Sequence, residues 1–152
     1  MTRLDAKTIG WAARRKISAE TLRKLSVGAD HIQFGDRKLP SIVFNYLDAA
    51  GHIVNWKARP LNNKDYRQKP NGEQRFYNQA AVLNGPLKEV YITEGEMDAL
   101  ALVEAGIPVS SVLSVVGGAP ANKTDNPTSS KRYAYIQAAL EAGMERCKRF
   151  IL

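Results

Sequence analysis

After Gly85 and Pro86 the sequence alternates between β-prone and helix-prone segments, and this alternation constrains the fold more than any other feature. Val90, Tyr91 and Ile92 read as a buried strand. Met97, Leu100, Ala101 and Glu104 then recur at helical spacing until Gly106 stops the helix. Ser111 to Val116 read as a second strand, and a loop from Gly117 to Ser130 leads into a helix with Tyr133, Ile136 and Leu140 on one apolar stripe. Arg149, Phe150, Ile151 and Leu152 open a third strand. Strands separated by helices cannot pair as hairpins, so the succession predicts a parallel sheet with crossover helices. The change of pattern puts a boundary near residue 87.

Residues 1–87 follow a different plan. Ser18 precedes Ala19-Glu20-Thr21-Leu22-Arg23-Lys24-Leu25, with an N-cap serine, an acid in the first turn and leucines three apart, which predicts a short helix. Residues 41–47 and 52–59 are β-prone runs separated by Asp48-Ala49-Ala50-Gly51, the pattern of a hairpin. Alternation along the second run puts Val54, Trp56 and Ala58 on one face and Ile53, Asn55, Lys57 and Arg59 on the other, so Trp56 is expected to pack inward and the cations to point out. Residues 60–75, punctuated by Pro60, Pro70 and Gly72, read as a loop or irregular strand pair. The expected class is α/β: a small basic α+β lobe over residues 1–87, then a partial parallel-sheet domain over 88–152.

Charge divides along the same line. Residues 1–75 hold 15 Lys and Arg against 7 Asp and Glu, net +8, and residues 76–152 hold 7 against 8, net −1. Nucleic-acid binding concentrates cations on one part of a molecule in this way. Between residues 57 and 75, Lys57, Arg59, Lys64, Arg67, Lys69 and Arg75 face only Asp65 and Glu73 in sequence. Tyr66, Phe76 and Tyr77 interleave with these charges and are candidates to stack on bases, although a phenylalanine such as Phe76 more often fills a core. With 44% hydrophobic and 24% charged residues the composition is that of a globular protein. No apolar run approaches the roughly 20 residues of a membrane span, and the mixed N-terminus lacks the apolar centre of a secretory signal, so a cytoplasmic protein is expected. Cys147 stands alone, which excludes an internal disulfide, and two histidines with one cysteine give no zinc-site spacing.

The acidic centre is Thr93-Glu94-Gly95-Glu96-Met97-Asp98-Ala99-Leu100, where the first strand of the alternating region meets its helix. Ligands of open parallel sheets sit at such strand ends. Gly95 permits a tight turn, and Asp98, in the first helical turn, can point back toward Glu94. Two carboxylates then face one site, a pairing that suits magnesium and phosphoryl transfer. The competing reading is that acids in a first turn only offset the helix dipole. Gly117 and Gly118 either bring backbone amides near a phosphate or simply form a tight exit from the second strand.

Strand, Glu94-Gly95-x-x-Asp98-Ala99, helix, then a second strand ending Ser114-Val115-Val116-Gly117-Gly118 resembles the Toprim domain of primases, topoisomerases and certain nucleases and recombination proteins. Upstream, Lys16-Ile17-Ser18-Ala19-Glu20-Thr21, the hairpin ending Trp56-Lys57-Ala58-Arg59 and the stretch Lys69 to Tyr77 resemble the N-terminal subdomain of phage-type primase-helicases. The resemblance implies synthesis of RNA primers on a single-stranded DNA template from nucleoside triphosphates, with Mg2+ or Mn2+. By position Glu94 matches the family's essential glutamate, as catalytic group and metal ligand, and Asp98 matches its second metal ligand. Lys57, Arg59 and Lys69, with Gly95, Gly117 and Gly118, are the expected contacts to template or nucleotide. A helicase domain in the same polypeptide is a further partner the resemblance admits; a membrane is not.

Two departures accompany the match. No zinc module precedes the lobe, and the family's Asp-x-Asp pair after the third strand is absent. The expectation is therefore that residues 1–152 carry only the first half of a metal site, bind the ion weakly and do not synthesise primers alone. The alternatives are a Toprim nuclease or topoisomerase, or a non-catalytic nucleic-acid-binding module indifferent to loss of Glu94.

Overall fold

The structure, a computed structural model, describes residues 3–117 and 133–152. The chain forms two compact units, Met1–Glu73 and Gln74–Leu152.

In the first unit Asp5 accepts the Thr8 N–H at 2.7 Å and starts helix α1, Ala6–Ala13. Ser18 caps α2, Ala19–Lys24, accepting the Thr21 N–H at 3.2 Å as its sequence predicts. Four antiparallel strands follow in the order β1-β2-β3-β4: Val27–Phe34, Arg37–Leu47, Ile53–Pro60 and Arg67–Gln68. The expected hairpin is β2–β3, pairing Phe44 with Lys57 and Asn45 with Trp56. Strand β1 was not expected. It joins β2 through the tight turn Gly35-Asp36, where Gly35 takes φ +60°. Ser41 to Tyr46 are buried consecutively, so β2 is covered on both faces and forms the centre of this core with Trp11, Leu22 and Leu25. Each such large apolar side chain contributes about 1.5–3 kcal/mol on burial.

The alternation expected for β3 holds for Ala58, which is buried, but Trp56 is only half-buried and Asn55, on the cation-bearing face, is fully buried. The reason lies in the segment that follows. It folds back along β3, Glu73 N donating to Val54 O at 3.1 Å and Asn55 Nδ2 donating to Glu73 O at 2.9 Å. The core tryptophan is Trp11, whose indole N–H donates to Leu61 O at 2.8 Å.

The second unit is the expected parallel sheet. Its strands β5, Glu89–Thr93, β6, Val112–Ser114, and β7, Arg149–Ile151, lie in the order β6-β5-β7. Helix α4, Glu96–Glu104, crosses from β5 to β6, and α5, Ala134–Glu141, precedes β7. The stripe on α5 is shifted from expectation: Tyr135 and Ala139 are the buried residues. Ile136 and Leu140 instead line an apolar cavity of about 320 Å³ with Phe76, Leu113 and Met144, and Tyr133 is half-buried.

Residues 74–87 belong with this sheet, upstream of the residue-87 junction set by the change of sequence pattern. Tyr77 exchanges backbone hydrogen bonds with Ser114, and α3, Gln79–Leu83, follows directly. Asn78, at φ +66°, donates from its side chain to Val109 O at 2.7 Å and Val112 O at 2.9 Å. Among the described residues no helix is long and apolar enough to cross a membrane.

Candidate functional site

The acidic turn lies where the sequence put it, at the C-terminal edge of the parallel sheet. Thr93 ends β5, and its hydroxyl is shared between Gly95 O at 2.9 Å and Leu113 O at 3.2 Å, tying the turn to β6. Glu94 follows and is exposed. Gly95 is the N-cap of α4 in an extended conformation, φ −146°. Asp98, also exposed, folds back over it: a Cβ on Gly95 would lie 3.4 Å from Asp98 Oδ2. Ala99, Leu100 and Val103 are buried and fix the opposite side of α4. Gly117 is exposed three residues beyond β6, on the same edge, with open space around its α-carbon. Gly118 lies outside the described residues.

Glu94 and Asp98 offer hard oxygen donors to a divalent cation. Among the described residues no group of three or more His, Cys, Asp or Glu side chains is placed to hold a metal ion. Magnesium keeps several waters and is commonly held by one or two carboxylates plus substrate phosphates, so the pair fits such an ion loosely.

The third acid of the turn is different. Glu96 is 3% exposed, and its charge acts on Tyr77, which is completely buried. Burial first, and Glu96 second, push the Tyr77 phenol well above the ordinary tyrosine range. Sequence reasoning treated Glu96 as one acid among several. Tyr77 itself is held by a backbone bridge to Ser114, a pairing that no local pattern announces. Phe76 and Tyr77, candidates for base stacking, are core residues at 5% and 0% exposure, with Phe76 edge-on to Tyr135 at 5.0 Å between ring centres.

The basic residues of the first unit form a more ordered group than their spacing suggested. Lys57 Nζ stands 5.2 Å from the centre of the Tyr66 ring, and Arg59 Cζ stands 6.0 Å from the same ring and 5.4 Å from Trp11. Arg15 lies closer to Trp11, at 3.6 Å, and its Nη1 donates to Trp11 O at 3.1 Å. Partial desolvation, then the charges of Arg59 and Arg14, lower the Arg15 pKa. An arginine still stays charged at neutral pH. Arg59 Nε is shielded from solvent without a hydrogen-bond partner among the described residues. Tyr66 is 51% exposed. Lys69 is half-buried and tied through its backbone, its N–H donating to Trp56 O at 2.9 Å. Arg15 and Trp11 were missed because they lie in and just after α1, far in sequence from Arg59.

These two units, a basic antiparallel lobe and a parallel sheet with an acidic strand end, have the fold of primase catalytic cores. The primase fragment of the bacteriophage T7 primase-helicase protein superimposes with a TM-score of 0.64 at 24% identity, over 92% of this chain and 51% of that one. A DNA primase domain from Pseudomonas aeruginosa gives 0.61 at 17% identity, over 90% and 51%. The DnaG primase catalytic domain bound to ssDNA gives 0.62 at 14% identity, over 90% and 53%. The chain spans about half the length of these structures. No protein-family model and no curated protein matches it in sequence.

Proposed function

We propose that this chain contributes the basic lobe and the first carboxylates of a DNA primase, an enzyme that builds RNA primers on single-stranded DNA from nucleoside triphosphates. The observation that carries the reading is the return of Asp98 over Gly95 beside Glu94, at the strand end of a fold shared with primase catalytic cores. Glu94 and Asp98 would hold Mg2+ or Mn2+, which when bound lowers the charge opposing attack on a triphosphate. Gly95, without a side chain, leaves room for the Asp98 carboxylate above the turn. Thr93 holds the turn against β6, so the two acids are presented in a fixed frame. Lys57, Arg59 and Lys69 would neutralise template or nucleotide phosphates, with Gly117, exposed beyond the end of β6, available to a phosphate group.

The test is primer synthesis by the intact protein. Glu94→Gln removes a carboxylate from an exposed position, so folding should be unchanged while dinucleotide formation is lost. Wild-type rates of dinucleotide formation in that variant would overturn the assignment and leave a nucleic-acid-binding module.

A further inference from the structure

Of the six cations between residues 57 and 75, Arg67 has its partner in a distant strand. Its Nη1 donates to the backbone O of Gln33. Arg67 belongs to β4 and Gln33 to β1, the two outer strands of a sheet ordered β1-β2-β3-β4. In a flat sheet those strands would lie about 14 Å apart, three strand spacings, which no arginine side chain crosses. The register widens the gap. Arg67 stands opposite Ala58, Ala58 opposite Val43 and Val43 opposite Gly28, while Gln33 lies further along β1 toward its turn. The contact exists because the sheet coils until its outer strands meet.

The hairpin β1–β2 supplies the part that bends. Strand β3 ends at Pro60, opposite Ser41, so Arg37 to Pro40 project past it. The connection from β3 to β4 is bonded to this projecting tip at both ends: Leu61 N donates to Pro40 O at 3.0 Å, and Arg67 reaches Gln33 O. Ile32, Phe34, Leu39 and Pro40 are half-buried although they stand near the end of an outer hairpin. Gln33 also braces the turn, its Nε2 donating to Gly35 O at 2.8 Å, so the residue that Arg67 grips is the one that shapes the tip. Strand β4 itself is two residues long, too short a ladder to hold the connection in place alone. Among the described residues Arg67 makes no ion pair, so its charge strengthens the bond to this neutral carbonyl.

We propose that Arg67 is a clasp that fastens the connection between β3 and β4 to the tip of the β1–β2 hairpin, so that the two open and close as one body. The connection is then ordered in the free protein, before any ligand arrives. This goes beyond the proposed function and does not depend on it, since it concerns how the first unit keeps its shape and not what binds there.

The experiment follows amide hydrogen exchange by nuclear magnetic resonance in the whole chain and in Arg67→Gln, which keeps the polarity of the side chain but lacks its reach and charge. With a two-residue turn at Gly35-Asp36, Phe34 with Arg37 and Ile32 with Leu39 exchange hydrogen bonds across the hairpin, so Phe34 and Leu39 report on the tip. Asp65, whose N–H donates to Asn63 Oδ1 at 2.9 Å, reports on the connection. In the wild type these three amides should open with one rate constant and one urea dependence, apart from that of the buried Phe44. In Arg67→Gln all three should exchange about tenfold faster with Phe44 unchanged, since one charge-assisted hydrogen bond is lost. Faster exchange at Asp65 alone would show that Arg67 steadies only its own strand, and unchanged exchange at all three would show that it fastens nothing; either overturns the clasp. Should the variant fail to fold, the wild type decides: different urea dependences for Phe34 and Asp65 overturn the proposal.

Discussion

Gly95 is extended at φ −146°, a conformation any residue adopts, so what it contributes is space. Asp98 Oδ2 already lies in van der Waals contact with the position of a Cβ there, at 3.4 Å. Gly95→Ala only reaches that contact and should leave Mn2+ binding close to wild type, whereas Gly95→Val, with methyl groups beyond the Cβ, should displace the Asp98 carboxylate and weaken Mn2+ binding several-fold, as read by electron paramagnetic resonance. Unchanged Mn2+ affinity in Gly95→Val would show that Asp98 is not a ligand. Tyr77 supplies a second residue-scale test. Its folded pKa is raised, so its stabilising contribution is complete below the ordinary tyrosine pKa of about 10 and is lost as pH rises, because the unfolded phenol ionises first. Alkaline unfolding of the protein, followed by urea titration above that pH, should be less steep in Tyr77→Phe. An identical pH dependence would mean that the phenol does not sense its burial and the charge of Glu96.

At the scale of single elements, caps and turns account for what could be read ahead of the structure. Ser18 caps α2 with its side chain, and Ser18→Ala should cost about 1 kcal/mol in denaturant unfolding. Asp5 caps α1, and its carboxyl is held below the usual range, chiefly by the Thr8 N–H. A depressed folded pKa contributes stability that is present above the unfolded value and lost as pH falls through the folded one. Asp5→Asn keeps an acceptor and should flatten the acid limb of the stability curve; an unchanged limb would assign that limb to other carboxylates. The β-α-β order and the Glu94–Asp98 turn were legible because strand, glycine and helix stand next to each other in sequence. Strand β1 was not. Val27–Phe34 contains Gly28, Ala29 and Asp30, weak strand formers, and it gains its place by pairing along β2. The available signal was the Gly35-Asp36 pair, a two-residue hairpin turn. The arrangement around Trp11 was beyond sequence reasoning, because it joins α1, β3 and the loop carrying Tyr66 through side chains.

At the scale of the whole molecule, the compact units meet at Glu73 and Gln74, while the alternating pattern begins only after Pro86. The residues between carry Tyr77, which pairs with Ser114 of β6. Strand β6 has β5 on one side, and this bridge occupies its other side. A polypeptide beginning at residue 88 would therefore present the β6 backbone with unpaired N–H and C=O groups, next to side chains that are fully buried in the intact unit. Such an edge is a template for strands from other molecules. Residues 74–152 should stay dispersed in light scattering under conditions where residues 88–152 self-associate; equal behaviour would show that the bridge does not guard the sheet. The short stretch before the first parallel strand, whose sequence reads as mere connection, is thereby expected to protect the molecule against aggregation.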